Sequence, residues 1–489
     1  MRNAAKVHRL DLSGQKLKSL SRNVHVFTQV QELRLAQNQL KKLPEELIEL
    51  TNLQVLDLSH NQLTSIPQWI GQLPHLHTLK LNNNPIQGLP ESLAKLRQLR
   101  HLNIVQTNIT KLPRYLGRMM QLQKLEAAKP LLREWETLRQ KSKVFTSLDE
   151  ALQTPEAVYH LELRGIKQIP VQELKKLKNL EVLNLNNNAL RTVPEAMGEL
   201  TQLQALHLQN NLLKTVPVSL GKLKKLKILN LKMNRLEQLP STLGGLSSLR
   251  HLSLYRNRLT QLPKSLGNLK SLQTLDASRN LLKRLPAELM QAKSLKNLNL
   301  SNNGLAQLPA SLGSLEQLKH LNLGGNHLTE LPTSLGQLKN LERLGLAENQ
   351  LQNLPKSLGN LEQLKALQLR KNQLQQLPET IGQLKNLENL DAWGNLLDGL
   401  PQSIGGLKKL KQMNLAYNQL EALPESLGQL GNLEKLNLWN NTSLQKLPAS
   451  IGQLKNLQSF KLQLDKLPIG ERNLLQNRLT TTKVRGLRF

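Results

Sequence analysis

The chain has 489 residues, no cysteine, and 66 basic against 35 acidic residues, for a formal net charge of +31. The lack of cysteine excludes a disulfide framework and favours a reducing compartment. No apolar run approaches the roughly 18 residues that a membrane-spanning helix needs, and the N-terminal residues lack the apolar segment of a signal peptide, so we expect a cytoplasmic protein.

The first elements in the chain are short repeated segments. Val7–Leu20 is a degenerate unit in which Gln15 takes a position that later units give to asparagine. Regular units follow until the pattern breaks down at Lys129-Pro130. Residues 1–130 are therefore predicted to form a first array of repeats.

Residues 131–157 interrupt the repeats. Leu131, Leu132 and Trp135 have helical spacing, and Asp149 and Glu150 suit the first turn of a second helix. We interpret the segment as a helical cap of the array that follows. A single continuous solenoid with a bulged insertion is an equal alternative, and an exposed hinge or partner-binding loop is a third.

Residues 158–468 are predicted to form a second array, and residues 469–489 a C-terminal tail or cap. The period in this array is 23 residues, and it is clearest from the asparagines, which also recur in the first array. They are Asn38, Asn61, Asn84, Asn188, Asn211, Asn234, Asn257, Asn280, Asn303, Asn326, Asn349, Asn372, Asn395, Asn418 and Asn441. A period of this length with regularly spaced leucines indicates a stacked repeat architecture.

One unit explains the residue types. Leu206 and Leu208 alternate with polar or small neighbours, which is the pattern of a strand with one buried face. Asn211 follows at the strand exit, where an amide can pair the buried backbone groups of a bend. Pro217 opens a short helical or irregular outer segment, where its missing N–H does no harm to a sheet.

The unit from Leu387 to Leu407, with Asn395, Pro401 and the Ile404-Gly405 pair, resembles the 23-residue Ras-suppressor and Shoc type of leucine-rich repeat. Bacterial proteins and plant intracellular Ras-group-related proteins also use this type. The resemblance implies an α/β fold: a right-handed horseshoe solenoid with a concave parallel β-sheet and short helical or irregular convex segments. It also implies protein–protein interaction, often as a scaffold in signal transduction. No GTPase, kinase or nucleotide-binding module accompanies the repeats.

The predicted concave face is mostly small and polar, and three consecutive turns depart from this. Trp393, Tyr417 and Trp439 lie at or beside the strand end. Exposed aromatic residues with a polar rim are typical of interface hot spots, so we predict a partner-binding site here. The alternative is that the rings only cover the sheet edge near the C-terminal cap. The predicted rim comprises Arg370, Asp391 and Lys435.

A second candidate patch contains Lys232, Tyr255, Arg256 and Arg279 in consecutive turns. Its charge favours an acidic protein partner. A solvated basic face without a partner is the alternative explanation.

The sequence offers no pattern for catalysis, a cofactor or a metal. Nucleotide-binding glycine motifs are missing, and the histidines His77 and His101 lack a third ligand. We therefore predict a non-enzymatic interaction protein. The alternative is a basic platform for an anionic membrane, a glycan or nucleic acid. A row of lysines is interrupted by Glu316 and Glu362, which indicates a solvated face of the solenoid. This row and an aromatic content of 2% make nucleic acid the weaker choice.

Overall fold

The computed structural model describes residues 7–479, with the side chains of residues 7–475. Two compact units divide this part of the chain. One contains the described residues up to Phe145 together with Gln153–His160, and the other contains Thr146–Leu152 and the described residues from Leu161 onwards.

The first unit contains a parallel sheet in which neighbours in sequence are neighbours in space. Each strand has three residues, because the chain turns away as soon as one inward leucine has been placed between two outward residues. Partners in adjacent strands are 23 residues apart, as Leu33 and Leu56 show. The strands are Arg9–Asp11, Glu32–Arg34, Val55–Asp57, Thr78–Lys80, His101–Asn103 and Lys124–Glu126.

The second unit repeats this arrangement over a longer open sheet. Its register departs from 23 residues near the C-terminus, where Lys435 pairs with Ser459 because this unit contains one extra residue. A two-residue strand lies at Val144–Phe145. The strands of the long sheet are His160–Glu162, Val182–Asn184, Ala205–His207, Ile228–Asn230, His251–Ser253, Thr274–Asp276, Asn297–Asn299, His320–Asn322, Arg343–Gly345, Ala366–Gln368, Asn389–Asp391, Gln412–Asn414, Lys435–Asn437 and Ser459–Lys461.

Short 3₁₀ helices return the chain on the side opposite the strands. In most units a proline such as Pro217 sits immediately before the helix, where its fixed φ suits the entry and no N–H is missed. They span Arg22–Val26, Glu45–Glu49, Gln68–Gln72, Glu91–Lys95, Arg114–Arg118, Pro155–Ala157, Glu195–Glu199, Val218–Lys222, Ser241–Gly245, Lys264–Asn268, Ala287–Gln291, Leu312–Ser314, Thr333–Gln337, Lys356–Asn360, Glu379–Gln383, Gln402–Gly406, Glu425–Gln429, Ala449–Gln453 and Leu464–Lys466.

Four α-helices complete the described structure. Lys129–Ser142 begins two residues before the predicted interruption and buries Leu131 and Trp135. Leu148–Gln153 follows it, Val171–Leu174 replaces the 3₁₀ helix of the shortened unit, and Ile469–Leu479 packs against Ala449–Gln453. The last ten residues of the predicted tail lie outside the described residues. No helix in residues 7–479 has the length and apolar character needed to cross a membrane.

The core of each unit is a stack of leucines bounded by a ladder of amides. Leu206, Leu208 and their counterparts are fully buried. In the ladder, Asn211 Oδ1 accepts from Leu190 N at 3.1 Å, and Asn211 Nδ2 donates to Leu185 O at 2.9 Å and Leu208 O at 3.0 Å. Each amide thus joins its own turn to the preceding one, and the predicted role of the asparagines is confirmed.

A second amide ladder lies at the start of the units and was not predicted. Asn340 Nδ2 donates to Glu316 O at 2.9 Å, and Asn386 Nδ2 donates to Glu362 O at 2.8 Å. Asn432 makes the same bond to Lys408 O at 2.7 Å. The signal in the sequence is an asparagine immediately before the first leucine of a unit, and each one ties a turn to its predecessor.

Glycine in the outer helices lets successive turns approach closely. A Cβ on Gly336 would lie 2.4 Å from Ser357 O, so no side chain fits without moving the next helix. Met290 takes this position in its own unit. There the helices Ala287–Gln291 and Leu312–Ser314 pack less closely than most of their counterparts, and a groove of about 790 Å³ opens beside them.

Candidate functional site

The solvent-facing side of the long sheet is nearly flat and polar over its middle turns. Strand positions there carry small or amide side chains such as Asn299, Asn322 and Gly345. Many of these amides are already engaged, as when Asn299 Oδ1 accepts from Ser301 N at 3.2 Å. His320 and Arg343 are larger polar side chains on the same face, so aromatic side chains in consecutive turns are what departs from its polar character.

Trp393, Tyr417 and Trp439 are such side chains, and we call them the aromatic site. The ring centroids of Trp393 and Tyr417 lie 5.2 Å apart with their planes inclined at 56°, a tilted arrangement that aromatic pairs favour. Tyr417 N donates to Trp439 O at 2.8 Å, which fixes the third residue one turn further on. Tyr417 and Trp439 are 47% and 46% exposed, while Trp393 is half-buried.

The backbone that presents Tyr417 is left-handed, with φ at +56°. The residue before the ladder asparagine has this conformation throughout the regular turns, for example at Asn210 and Gly394. Asparagine and glycine tolerate it best, and a bulky aromatic residue is uncommon there. The aromatic ring at this turn is therefore not what the local backbone requires.

Cations flank the aromatic site on one side. Lys371 Nζ lies 5.8 Å from the Trp393 ring centroid, within cation–π range. The same ammonium lies 3.3 Å from Glu348 Oε1, and Arg370 Nη2 lies 4.0 Å from that oxygen. Glu348 therefore partly neutralises both Arg370, which was predicted at this site, and Lys371, which was not.

Asp391 and Lys435 differ in whether their charged groups are free to contact a partner. Asp391 Oδ1 accepts from Trp393 N at 3.3 Å and from Asn414 Nδ2 at 3.0 Å, so it orders the strand end below the tryptophan. Lys435 and Lys461 are exposed and form no ion pair within the described residues. Together with Asp391, Asn414 and other strand residues they line a groove of about 470 Å³.

The second predicted patch also comes together. Arg279 Cζ lies 5.9 Å from the centroid of the half-buried Tyr255 ring, and Arg256 is exposed beside it. The contact orients the ring and one guanidinium. It leaves the Arg256 guanidinium free of ion pairs within the described residues.

Several basic side chains elsewhere make contacts within the structure. Glu342 accepts from Lys319 at 3.2 Å and from Lys365 at 2.9 Å across adjacent turns, and these cations, Lys365 first, lower the pKa of Glu342. The predicted lysine row is not simply solvated. Lys224 Nζ donates to Gly245 O at 2.7 Å and Lys270 Nζ to Gln291 O at 3.1 Å, so these side chains join outer turns.

The histidines do not assemble a metal site. His101 Nε2 lies 2.9 Å from Glu126 Oε1, which also contacts Lys124. Burial lowers the pKa of His207 below its usual value. Within residues 7–475, no group of three or more metal-ligating side chains occurs.

Parallel three-residue strands, outer 3₁₀ helices and an asparagine ladder define a repeat solenoid with an open sheet face. The sequence profile of the leucine-rich repeat region matches residues 157–257, 238–318 and 352–480, and that of the leucine rich repeat matches 5–63, 28–86, 51–109 and 293–351. The chain belongs to the leucine-rich repeat family. No curated protein matches it.

Solved structures of repeat proteins are similar along nearly the whole chain. A leucine-rich repeat protein of Leptospira interrogans shares 30% identity with a TM-score of 0.56, covering 99% of this chain and 97% of that one. The plant peptide hormone receptor RGFR1 in complex with RGF2 shares 25% identity with a TM-score of 0.53, covering 97% and 89%. The ectodomain of the Arabidopsis receptor kinase HAESA, in complex with an N-terminally extended IDA peptide hormone, shares 28% identity with a TM-score of 0.53. The match covers 96% of this chain and 80% of that one.

Proposed function

We propose that this chain is a non-catalytic recognition module that binds a segment of another protein on the solvent-facing side of its long sheet. The aromatic site carries the proposal, because its three rings lie in consecutive turns of a polar face and two of them are nearly half exposed. Trp and Tyr are the residue types that most often dominate interface energies. The plant receptors similar to this chain were solved with bound peptides, which supports a polypeptide ligand.

The surroundings of the rings favour a partner segment that is apolar with an acidic residue nearby. Tyr417 and Trp439 offer the apolar contact, and the groove beside them carries the unpaired ammonium groups of Lys435 and Lys461. Asp391 is the one carboxylate in the lining of this groove, and the two ammonium groups outnumber it. An extended segment would cross the strands and place an acidic side chain in the groove.

The narrower proposal is an intracellular signalling scaffold. Two features support it: the absence of cysteine, and the resemblance of the units to the 23-residue Ras-suppressor and Shoc type. The predicted boundaries, with a helical cap at residues 131–157 between two arrays, belong to the same proposal. Fractionation of the source cells with antibodies to the chain tests the location, since a scaffold of this kind belongs in the cytosolic fraction.

Site-specific photo-crosslinking tests the binding face. A benzophenone amino acid replaces Asn437 on the sheet face in one variant and Gln291 on the outer helices in a second, matched variant. The proposal expects that the first variant captures a defined protein in its native extract and that the second does not. Capture by the outer position alone would contradict the assigned face.

A companion variant asks whether the rings provide the affinity. Other turns already show which residues the fold accepts at these positions: serine at Ser278 and Ser301, and asparagine at Asn210 and Asn302. The substitutions Trp393→Ser, Tyr417→Asn and Trp439→Ser therefore remove the rings while keeping residue types that other turns carry there. Purified partner should then bind at least about thirtyfold more weakly, since one hot-spot residue contributes about 2 kcal/mol or more.

A further inference from the structure

A concentrated cluster of cations lies at the edge of the long sheet where three consecutive strands end. Between residues 228 and 284 the only acidic residues are Glu237 and Asp276. The cations before and after the ladder asparagines of these turns form what we call the basic edge. Its members are Lys232, Arg235, Arg256, Arg258, Arg279, Lys283 and Arg284.

The basic edge is not neutralised from within. None of its seven side chains makes an ion pair in the described part of the chain, and the contact of Arg279 with Tyr255 is a cation–π contact. Asp276, the nearest strand carboxylate, accepts from Ser278 N and Ser278 Oγ through its Oδ1. The lysines in other turns differ, because Lys319, Lys365 and Lys411 each reach a glutamate.

The basic edge is also short. At the positions directly before and directly after the ladder asparagine, neutral residues occupy the turns on both sides, including Asn187 and Asn210 before it and Asn302 and Gly304 after it. One cation, Lys214, precedes the edge at the position that corresponds to Lys283. With strands about 4.8 Å apart, three turns span about 10 Å between the first and third strand. A track of this length suits a few charges on a short segment and does not suit a long polyanion.

Its chemistry combines guanidinium groups with apolar surface. Five of the seven cations are arginines, whose planar fork binds carboxylates in bidentate geometry. Leu281 lies in the same turns and is 56% exposed. Tyr255, which contacts Arg279, is half-buried. Nucleic acid would use open ring faces for base stacking, but Arg279 lies near the face of the one ring here.

We propose that the basic edge binds a short acidic segment of a protein, with carboxylates on the arginines and an apolar side chain against Leu281. Carboxylates on one side of an extended segment repeat about every 6.6 Å, so two of them fit along the edge. This site goes beyond the proposed function, and it stands or fails independently of the aromatic site.

The test uses a fluorescein-labelled six-residue peptide of alternating glutamate and leucine, measured by fluorescence anisotropy on the full chain at physiological salt. The edge variant neutralises four arginines with residues that other turns carry at the same positions. A control variant removes four exposed cations elsewhere, so both lose the same charge. The edge variant is Arg235→Gln, Arg256→Asn, Arg258→Gln and Arg279→Asn, and the control is Lys296→Gln, Arg343→Asn, Lys356→Gln and Lys455→Thr.

The proposal expects the unmodified chain to bind the peptide, the edge variant to bind about tenfold more weakly, and the control variant to stay within about twofold. Circular dichroism melting verifies that both variants fold. An equal loss in both variants, or no binding by the unmodified chain, overturns the proposal. Tighter binding of a heparin hexasaccharide, a thymidine 12-mer or phosphatidylserine vesicles also overturns it and assigns the edge to that ligand.

Discussion

The side chain of a single asparagine joins two turns of the stack. Asn280 is 6% exposed; its Oδ1 accepts from Leu259 N at 3.0 Å, and its Nδ2 donates to Leu254 O and Ala277 O at the same distance. This role follows from residue chemistry, because a buried bend needs donors and an acceptor in one small group. The asparagine positions alone were therefore enough to predict it.

Replacing Asn280 by alanine should destabilise the stack by about 2 to 4 kcal/mol, because buried backbone groups in two turns lose their partners. Urea unfolding followed by circular dichroism measures the loss. Asn389→Ala is the control, since Asn389 is exposed on a strand of the same sheet; it should change stability by less than about 0.5 kcal/mol. Similar losses in both variants would argue against the ladder.

Burial of His207 gives a pH dependence. Its pKa is lowered in the folded chain, so below its usual pKa of about 6.5 the unfolded chain takes up a proton that the folded chain resists. Stability is therefore complete above that pH and falls as the pH decreases through it. Urea midpoints at pH 7.5 and 5.5 should show a smaller decrease for His207→Gln than for the unmodified chain. The exposed His327→Gln serves as the control, and an unchanged decrease in His207→Gln would contradict the prediction.

The lysine bonds could not be predicted from the sequence. Lys224, Lys270 and Lys339 reach carbonyls 21 residues further along the chain. Which carbonyl is left open depends on the end of a 3₁₀ helix in the next turn, and residue type alone does not specify that geometry. The pattern therefore indicated a solvated ridge, and the structure shows a set of links between outer turns.

At the scale of elements, the outer helices pack closely because their glycines have no side chain. The glycine recurs in most units of the sequence, but the reason for it is visible only in the structure. The carbonyl of the next turn occupies the place of a side chain, as Ser357 does against Gly336. Met290 shows the consequence of a larger residue, because the helices beside it separate and a groove opens.

Gly336→Ala should lower the free energy of unfolding by about 1 to 3 kcal/mol, because its Cβ would overlap a backbone oxygen that cannot move without shifting a helix. Gly399→Ala is a matched control. Gly399 has open space around the position of a Cβ, so this variant should be neutral or slightly stabilised. Differential scanning calorimetry compares the two, and equal melting temperatures would contradict the close-packing explanation.

At the scale of the molecule, the period, the strands and the outer segments were predictable from spacing, and the parallel sheet was implied by the family resemblance. A solenoid needs only neighbouring turns to agree, so local pattern specifies most of the fold. The face that we propose for recognition is different. Its rings could be predicted to share a surface, but their contacts, the engagement of Asp391 and the exposure of Lys435 and Lys461 depend on side-chain packing that no repeat pattern encodes.

The central claim is that the sheet face recognises a protein while the leucines and amides only hold it in place. The most direct measurement is the dissociation constant of the partner that crosslinking identifies. The purified partner is titrated by isothermal titration calorimetry against two variants of equal stability. Removing the three rings of the aromatic site should weaken binding at least thirtyfold, by the hot-spot magnitude of about 2 kcal/mol. Replacing the outer-face residues Gln291 and Ser314 by alanine should leave it unchanged. Unchanged binding in the first variant with a loss in the second would contradict the account.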